Sequence, residues 1–280
     1  MKTVIRFTKM VSAGNDFLIV DARRQQTRPW KTVSRALCDR HQGVGADGVL
    51  VLEPSARASV KMRVFNPDGS EADMCGNGAR CVALYLKRRH VTIETNAGVL
   101  AGTVRGDRVA MRLTDPADIR RNVPVRVNGR AVRATCLDTG VPHAVVPVTQ
   151  LDRVDVNEAG RALRFHQVFA PRGTNVDFIQ PSASANRLRL RTYERGVEAE
   201  TLACGTGVAA SAVAYILNNG SGSRQRRHRV TVETRSGERM AVSFTVVLSG
   251  RGVAVTDLVL EGRARRIGEG IINWPLRSAA

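Results

Sequence analysis

Two cysteines occupy matching settings, in Met74-Cys75-Gly76-Asn77-Gly78-Ala79-Arg80 and in Ala203-Cys204-Gly205-Thr206-Gly207-Val208-Ala209. Each is followed by Gly-X-Gly and then by an apolar run with the pattern of a helix, Cys81 to Leu86 and Ala210 to Leu217. Glycines after the cysteine let the backbone turn sharply and approach a ligand closely, and a helix start leaves N–H groups unpaired. A thiol placed there is expected to lose its proton more easily, because the helix dipole favours the anion. The same N–H groups can hold a carboxylate.

Three chemistries use cysteines in this way. Thiol–disulfide exchange usually places its pair close in sequence, as in CxxC, which is absent here. A nucleophilic cysteine with a histidine base needs only one thiol. A proton-transfer pair needs two: a thiolate removes a proton from one face of a carbon, and a thiol returns one to the other. Pyridoxal phosphate could acidify an amino acid α-carbon, but it needs a positioned lysine, and none follows Lys87. A cofactor-free route therefore fits better, and no metal spacing is evident.

The flanks of the two cysteines read as an internal duplication. Arg63-Val64-Phe65-Asn66 precedes the first and Arg191-Thr192-Tyr193-Glu194 the second, with Asn66 nine residues before Cys75 and Glu194 ten before Cys204. After each helix comes a near-identical strand and turn, Val91-Thr92-Ile93-Glu94-Thr95-Asn96-Ala97-Gly98 and Val230-Thr231-Val232-Glu233-Thr234-Arg235-Ser236-Gly237. A looser pairing relates Gly14-Asn15-Asp16-Phe17 to Thr174-Asn175-Val176-Asp177-Phe178. Repetition at this long period points to two similar domains. If the halves face each other, both cysteines approach one pocket from opposite sides.

At 280 residues the chain is long enough for two domains with cores. The five cysteines, an odd number, favour free thiols in a reducing cytoplasm. No apolar run reaches membrane-spanning length, and the first residues carry no signal-peptide core. The net charge of +18 raises nucleic acid as a partner, with salt-sensitive retention as its signature. Yet the arginines are spread along the whole chain and only five of the 43 basic residues are lysine, which reads as residue usage, not a binding stripe.

Locally, Thr3 to Met10 and Phe17 to Asp21 read as strands around a loop from Val11 to Asp16, and Val33 to His41 as a helix. Asp115 to Asp118 reads as the linker between halves. Asn128-Gly129 marks a hairpin turn, and Glu158 to Arg164 a short helix. Asn218 to Arg229 reads as a polar, mobile loop, and the apolar tail Ile271 to Trp274 as packing onto something. Cys38 and Cys81 fall in helical runs as buried thiols. Taken alone, His143 reads as structural, while Asn15 reads equally as a turn residue or a ligand-orienting amide.

Asn66-Pro67-Asp68-Gly69-Ser70-Glu71 with Cys75-Gly76-Asn77-Gly78-Ala79-Arg80-Cys81, and Tyr193-Glu194-Arg195-Gly196 with Ala203-Cys204-Gly205-Thr206-Gly207, resemble the two signatures of the diaminopimelate epimerase family. Gly14-Asn15-Asp16-Phe17, Pro142-His143 and Asn175 also fall where that family has them, so the resemblance spans nearly the whole chain. It implies an α/β (α+β) fold of two pseudo-symmetric domains, each a barrel-like, mostly antiparallel sheet around a central helix. The expected domains are 1–116 with a returning C-terminal strand 264–280, and 117–263. It implies a homodimeric, pyridoxal-phosphate-independent cytoplasmic isomerase acting on diaminopimelate, with no cofactor, nucleic acid or membrane partner. By resemblance, Cys75 and Cys204 are the acid/base residues. Asn15, Asn66, Asn175, Glu194 and Arg195 hold the substrate's amino and carboxylate groups, Arg195 through its guanidinium fork. Gly76, Asn77, Gly205 and Thr206 offer backbone N–H groups, and His143 supports the reacting amino group beside Glu194, reversing its local reading. Two positions depart from the family's reference form: Val141 replaces an asparagine and Gly48 a glutamine. A related racemase with another amino acid substrate is the alternative these departures leave open.

Overall fold

A computed structural model describes residues 3–25, 28–127, 129–220, 224–250 and 252–274 of the chain. It divides into two compact units, residues 1–111 with 262–280, and residues 112–261. The expected turn residue Asn128 and the tail beyond Trp274 lie outside the described residues.

The first unit contains β1 (Thr3–Ser12), β2 (Asn15–Asp21), α1 (Trp30–Cys38), β3 (Gly48–Glu53), β4 (Val60–Phe65), β5 (Glu71–Ala72), α2 (Gly76–Tyr85), β6 (His90–Thr95), β7 (Gly98–Arg105) and β8 (Arg108–Arg112). The second contains β9 (Ala117–Val127), β10 (Arg130–Asp138), β11 (Pro142–Pro147), α3 (Val156–Arg164), β12 (Asn175–Pro181), β13 (Arg187–Glu194), β14 (Ala199–Thr201), α4 (Gly205–Asn219), β15 (Gln225–Glu233), β16 (Arg239–Ser249) and β17 (Gly252–Arg263). The last strand, β18 (Arg265–Trp274), pairs antiparallel with β1. Its Ile272 and Trp274 pack on the core of the first unit, which is where the apolar tail goes.

Strand neighbours in the first unit run β18-β1-β2-β3-β4-β6-β7-β8, with β5 added to β4. In the second they run β9-β10-β11-β12-β13-β15-β16-β17, with β14 added to β13. The two orders are the same pattern, element for element. In each, two neighbouring pairs are parallel: β2/β3 and β4/β6, then β11/β12 and β13/β15. A parallel pair needs a crossover, and the four helices supply them.

The helices differ in what they bury. From Gly207 to Ala214 every residue of α4 is buried, as expected of a helix enclosed on all sides. It packs on β10, β11, β12, β13, β15 and β16, while α2 packs on β1, β2, β4, β6, β7 and β18. Small residues, Ala79 and Ala83 in α2 and Ala209, Ala210, Ala212 and Ala214 in α4, let the strands curl closely around them. The outer helices α1 and α3 bury one face only. Strand β2 accordingly has apolar residues on both faces, Phe17 and Ile19 toward α2 and Leu18 and Val20 toward α1. Cys38 and Cys81 are buried as expected.

Three local expectations change. The β1–β2 connection is the two-residue turn Ala13-Gly14, both at positive φ (54° and 82°), so the strands extend further than Met10 and Phe17 indicated. Gln225 to Glu233 is a strand paired along its length with β16, and α4 continues to Asn219, so most of the stretch read as a mobile loop is ordered by its partner. The topological counterpart of β2 is β11, not β12. The looser pairing of Asn15 with Asn175 therefore fails: Asn15 begins β2, whereas Asn175 begins β12, the counterpart of β3.

The outer helix α3 sets one stability prediction. A Cβ on Gly160 would stand 2.4 Å from Cβ of Tyr193 on β13, which is covered by α3. Gly160→Ala forces helix and strand apart, and urea unfolding should show a loss of about 1–3 kcal/mol despite alanine's better helix propensity.

Candidate active site

Each cysteine caps a helix that follows a short hairpin. Arg63 on β4 grips Glu71 on β5 with Nε–Oε1 and Nη2–Oε2 distances of 2.7 and 2.8 Å. Arg191 on β13 grips Glu200 on β14 the same way, both contacts at 2.7 Å. Planar two-point pairs of this kind fix geometry as well as charge, and each holds the strand that leads into a cysteine. The Arg63 guanidinium keeps the Glu71 carboxyl below its usual range.

In the first unit, Cys75 is the N-cap of α2 and its Sγ accepts from the Gly78 N–H at 3.4 Å. It is half-buried, and a Cβ on Gly76 would meet nothing within 4 Å, so the backbone beside it is open to a ligand. Gly78, by contrast, lies against Leu50, where a Cβ would approach to 2.9 Å. Asn77 is buried. Its Nδ2 donates to Asn15 Oδ1 at 2.9 Å, and Asn15 Nδ2 donates to Asp47 Oδ2 at 2.9 Å. Arg80, fully buried, donates to Asn77 Oδ1 and, at 2.9 Å, to Ser12 Oγ. Asn66, at the end of β4, has its amide on Ser70 Oγ at 2.9 Å within the turn that the Asn-Pro-Asp-Gly sequence dictates. The structure thus brings Asn15 and Asn77 together and leaves Asn66 tied to its own turn.

In the second unit, Cys204 is the N-cap of α4 and only 8% exposed. Its Sγ lies 3.3 Å from Thr206 Oγ1, which lies 3.0 Å from His143 Nε2. His143 Nδ1 in turn lies 2.6 Å from Asp177 Oδ2. Asn175, adjacent to His143 in the parallel β11/β12 register, accepts from the Arg195 N–H at 2.8 Å and donates to the Pro142 carbonyl at 3.0 Å. The Arg195 guanidinium donates to the Arg172 carbonyl at 3.2 Å.

A helix start by itself favours an acidified thiol. At Cys204 the net direction is the reverse. Burial pushes the thiol up, and the Glu194 and Asp177 carboxylates push it further, outweighing Thr206 and the Gly207 N–H. Burial also raises Glu194, helped by Asp177 and opposed by Thr201 and His143. Cys38 and Cys136, away from these groups, are raised by burial to about 12 and about 11 and are inert.

Because Glu194 titrates higher folded than unfolded, ionising it costs stability. That contribution is intact below the unfolded carboxyl range and lost as pH rises through the folded value. Glu194→Gln should therefore melt on the order of 2 °C higher than wild type at pH 8 and no higher at pH 4, by calorimetry.

Gly48, where the family's reference form has glutamine, is explained: a Cβ there would stand 2.9 Å from the Phe65 carbonyl. Asp47, Arg80 and Ser12 in one unit, and Asp177 and Thr192 in the other, were missed from the sequence. The available signal was a charged residue inside an otherwise apolar element, as in the buried strand Asn175-Val176-Asp177-Phe178-Ile179 and the helix around Arg80. A cavity of about 670 Å³ in the first unit lies beside Tyr85 and Lys87, at the opposite end of α2 from Cys75.

Comparison with known proteins agrees with these motifs. The sequence model of one family, diaminopimelate epimerase, matches residues 7–117 and 135–249. The chain is 38% identical to the diaminopimelate epimerase of Aquifex aeolicus, covering 96% of this chain and 100% of the relative. It is 39% identical to that of Pelotomaculum thermopropionicum, covering 84% and 90%. Among solved structures, a PhzF-family phenazine biosynthesis protein of Bacillus anthracis superposes with a TM-score of 0.73 at 18% identity, covering 96% of this chain and 99% of the other. A hydroxyproline epimerase of Agrobacterium vitis does so with 0.69 at 17%, covering 96% and 91%. At such identities these two show the fold alone. With both cysteine-capped helices inside the matched residues, the chain belongs to the diaminopimelate epimerase family and is an isomerase.

Proposed function

We propose that this chain interconverts LL- and meso-2,6-diaminopimelate, with Cys75 and Cys204 as the two acid/base groups. The observation that carries the reading is that both cysteines cap helices reached by the same hairpin device, and that one is linked through Thr206 to a buried histidine. A thiolate removes the α-proton and a thiol supplies one to the opposite face, which inverts the centre without changing the molecule's composition.

The other roles follow from donor and acceptor chemistry. Backbone N–H groups at Gly76-Asn77 and Gly205-Thr206 suit carboxylates, and those at the reacting carboxylate stabilise charge that develops as the α-proton leaves. Asn15, Asn66, Asn175 and Glu194 offer acceptors to ammonium groups, and the Arg195 guanidinium a fork to the distal carboxylate. His143 supports the reacting end. The reading includes a cytoplasmic homodimer serving lysine and peptidoglycan precursor synthesis without a cofactor. Five cysteines without a disulfide accord with a reducing compartment, and no described helix is long and apolar enough to cross a membrane.

The test is to incubate the protein with LL-diaminopimelate in deuterated water without added cofactor and follow α-deuterium and the meso product. Inversion with solvent deuterium in the product supports the reading. Val141, half-buried, offers no side-chain hydrogen bond, which favours including histidine, proline and glutamate in the panel. Turnover of one of these instead of diaminopimelate would reassign the substrate.

A further inference from the structure

Asp177 is fully buried on β12, in a strand otherwise made of residues that pack. Thr192 on β13 donates its hydroxyl to Asp177 Oδ1 at 2.7 Å, leaving Oδ2 for His143 Nδ1 at 2.6 Å. Room for the carboxylate comes from α4. A Cβ on Gly207 would stand 2.5 Å from Asp177 Oδ1, so the last glycine of the Cys-Gly-X-Gly run admits Asp177 as well as shaping the turn. A carboxylate on Nδ1 keeps the proton of a neutral imidazole on that nitrogen and leaves Nε2 bare. Nε2 faces the Thr206 hydroxyl, and that hydroxyl faces Cys204.

A hydroxyl gives one proton and accepts others, so the chain has two complete arrangements. In one, the Cys204 thiol donates to Thr206 Oγ1 and the Thr206 hydroxyl donates to His143 Nε2. In the other, His143 Nε2–H donates to Thr206 and Thr206 donates to a Cys204 thiolate. Passing between them breaks the S–H and Thr206 O–H bonds and forms a new Thr206 O–H and an Nε2–H bond. The proton count is unchanged, and the result is a thiolate and an imidazolium.

We propose that Thr206 and His143 relay a proton to and from Cys204, with Asp177 as the positioning residue that holds the histidine tautomer and stabilises the imidazolium. The proposal rests on Cys204 being one of the two acid/base residues. It answers a problem that reading creates: a thiol buried beside two carboxylates is a poor source of thiolate, yet Cys204 must be the base for one of the two epimers. The groups facing the relay are Asp177 from β12, Glu194 from β13, His143 from β11 and Cys204 at the start of α4.

Two measurements decide it. Nitrogen-15 NMR of the wild-type protein, with His143 assigned by comparison with His143→Gln, reads the tautomer without any substrate. Protonated Nδ1 at neutral pH is expected, and a neutral ring with a bare Nδ1 would overturn the relay. Kinetics of Asp177→Asn should show kcat lowered about 100-fold, KM for diaminopimelate within about threefold, and the thiolate limb of the kcat–pH profile moved up by about one unit or more, the opposite of the downward shift that loss of the Asp177 charge alone would give the Cys204 thiol. Thr206→Val should show the same profile, and Thr206→Ser should recover at least about tenfold over it. A folded Asp177→Asn with the wild-type pH profile would mean a purely structural role. If that variant does not fold, the Thr206 pair and the NMR result decide. Wild-type inactivity toward diaminopimelate would refute the substrate reading while leaving the tautomer result to stand.

Discussion

Cys75→Ala and Cys204→Ala are each expected to lose about 10³-fold or more of the epimerisation rate, because inversion needs an acid and a base on opposite faces and each variant keeps only one. The informative measurement is deuterium uptake, not rate alone. A single remaining thiol can remove an α-proton and return a deuteron on the same side. Each variant should therefore label one of the two epimers without inverting it, and the two variants should label different ones. Cys75→Ser separates catalysis from stability at the first site. The serine hydroxyl can still accept from the Gly78 N–H, restoring a cap worth about 0.5–2 kcal/mol, but it is far too weak an acid to ionise and serve as the thiolate does. Either alanine variant inverting at more than a tenth of the wild-type rate would sink the two-thiol reading.

Arg80→Met is expected to have the largest effect on stability, about 3–4 kcal/mol. Arg80 is fully buried and reaches Ser12 Oγ and Asn77 Oδ1 from inside the curled sheet. A methionine fills part of the volume but leaves Asn77 Oδ1 facing an apolar chain and Ser12 Oγ with its bond to the Arg263 carbonyl alone, and an unmet buried polar group costs about 1–3 kcal/mol. At about 2–4 °C per kcal/mol for domains of this size, the fall in Tm should be near 10 °C. Activity should fall too, since Asn77 and, through it, Asn15 lose their anchor. A melting temperature within 2 °C of wild type would show that Asn77 Oδ1 finds another partner.

The sequence by itself determined the cysteine-capped helices, the duplication and the family. Those features are local: Gly-X-Gly after a cysteine, an apolar helical run, and a repeated strand and turn are read from neighbours in the chain. It also marked Cys38 and Cys81 as packing residues, because each lies in an amphipathic or apolar helical run. Where pairing partners lie far apart in sequence, local reading failed. Gln225 to Arg229 looks polar and loop-like, and its pairing with β16 makes it the first part of a strand. Asn15 and Asn175 match in composition, yet the register of β2 with β3 and of β11 with β12 makes them non-equivalent.

The protonation chemistry was decided only by the tertiary structure. At the start of α4 the sequence supplies a helix dipole, which favours a thiolate. The fold adds burial and two carboxylates from β12 and β13, which favour the thiol and together outweigh it. Asp177 carries no motif of its own. It meets His143 because β11 and β12 run parallel, and it fits because Gly207 of α4 has no side chain. Burial and through-space charge depend on which strands the chain brings together, and spacing along the chain does not encode that.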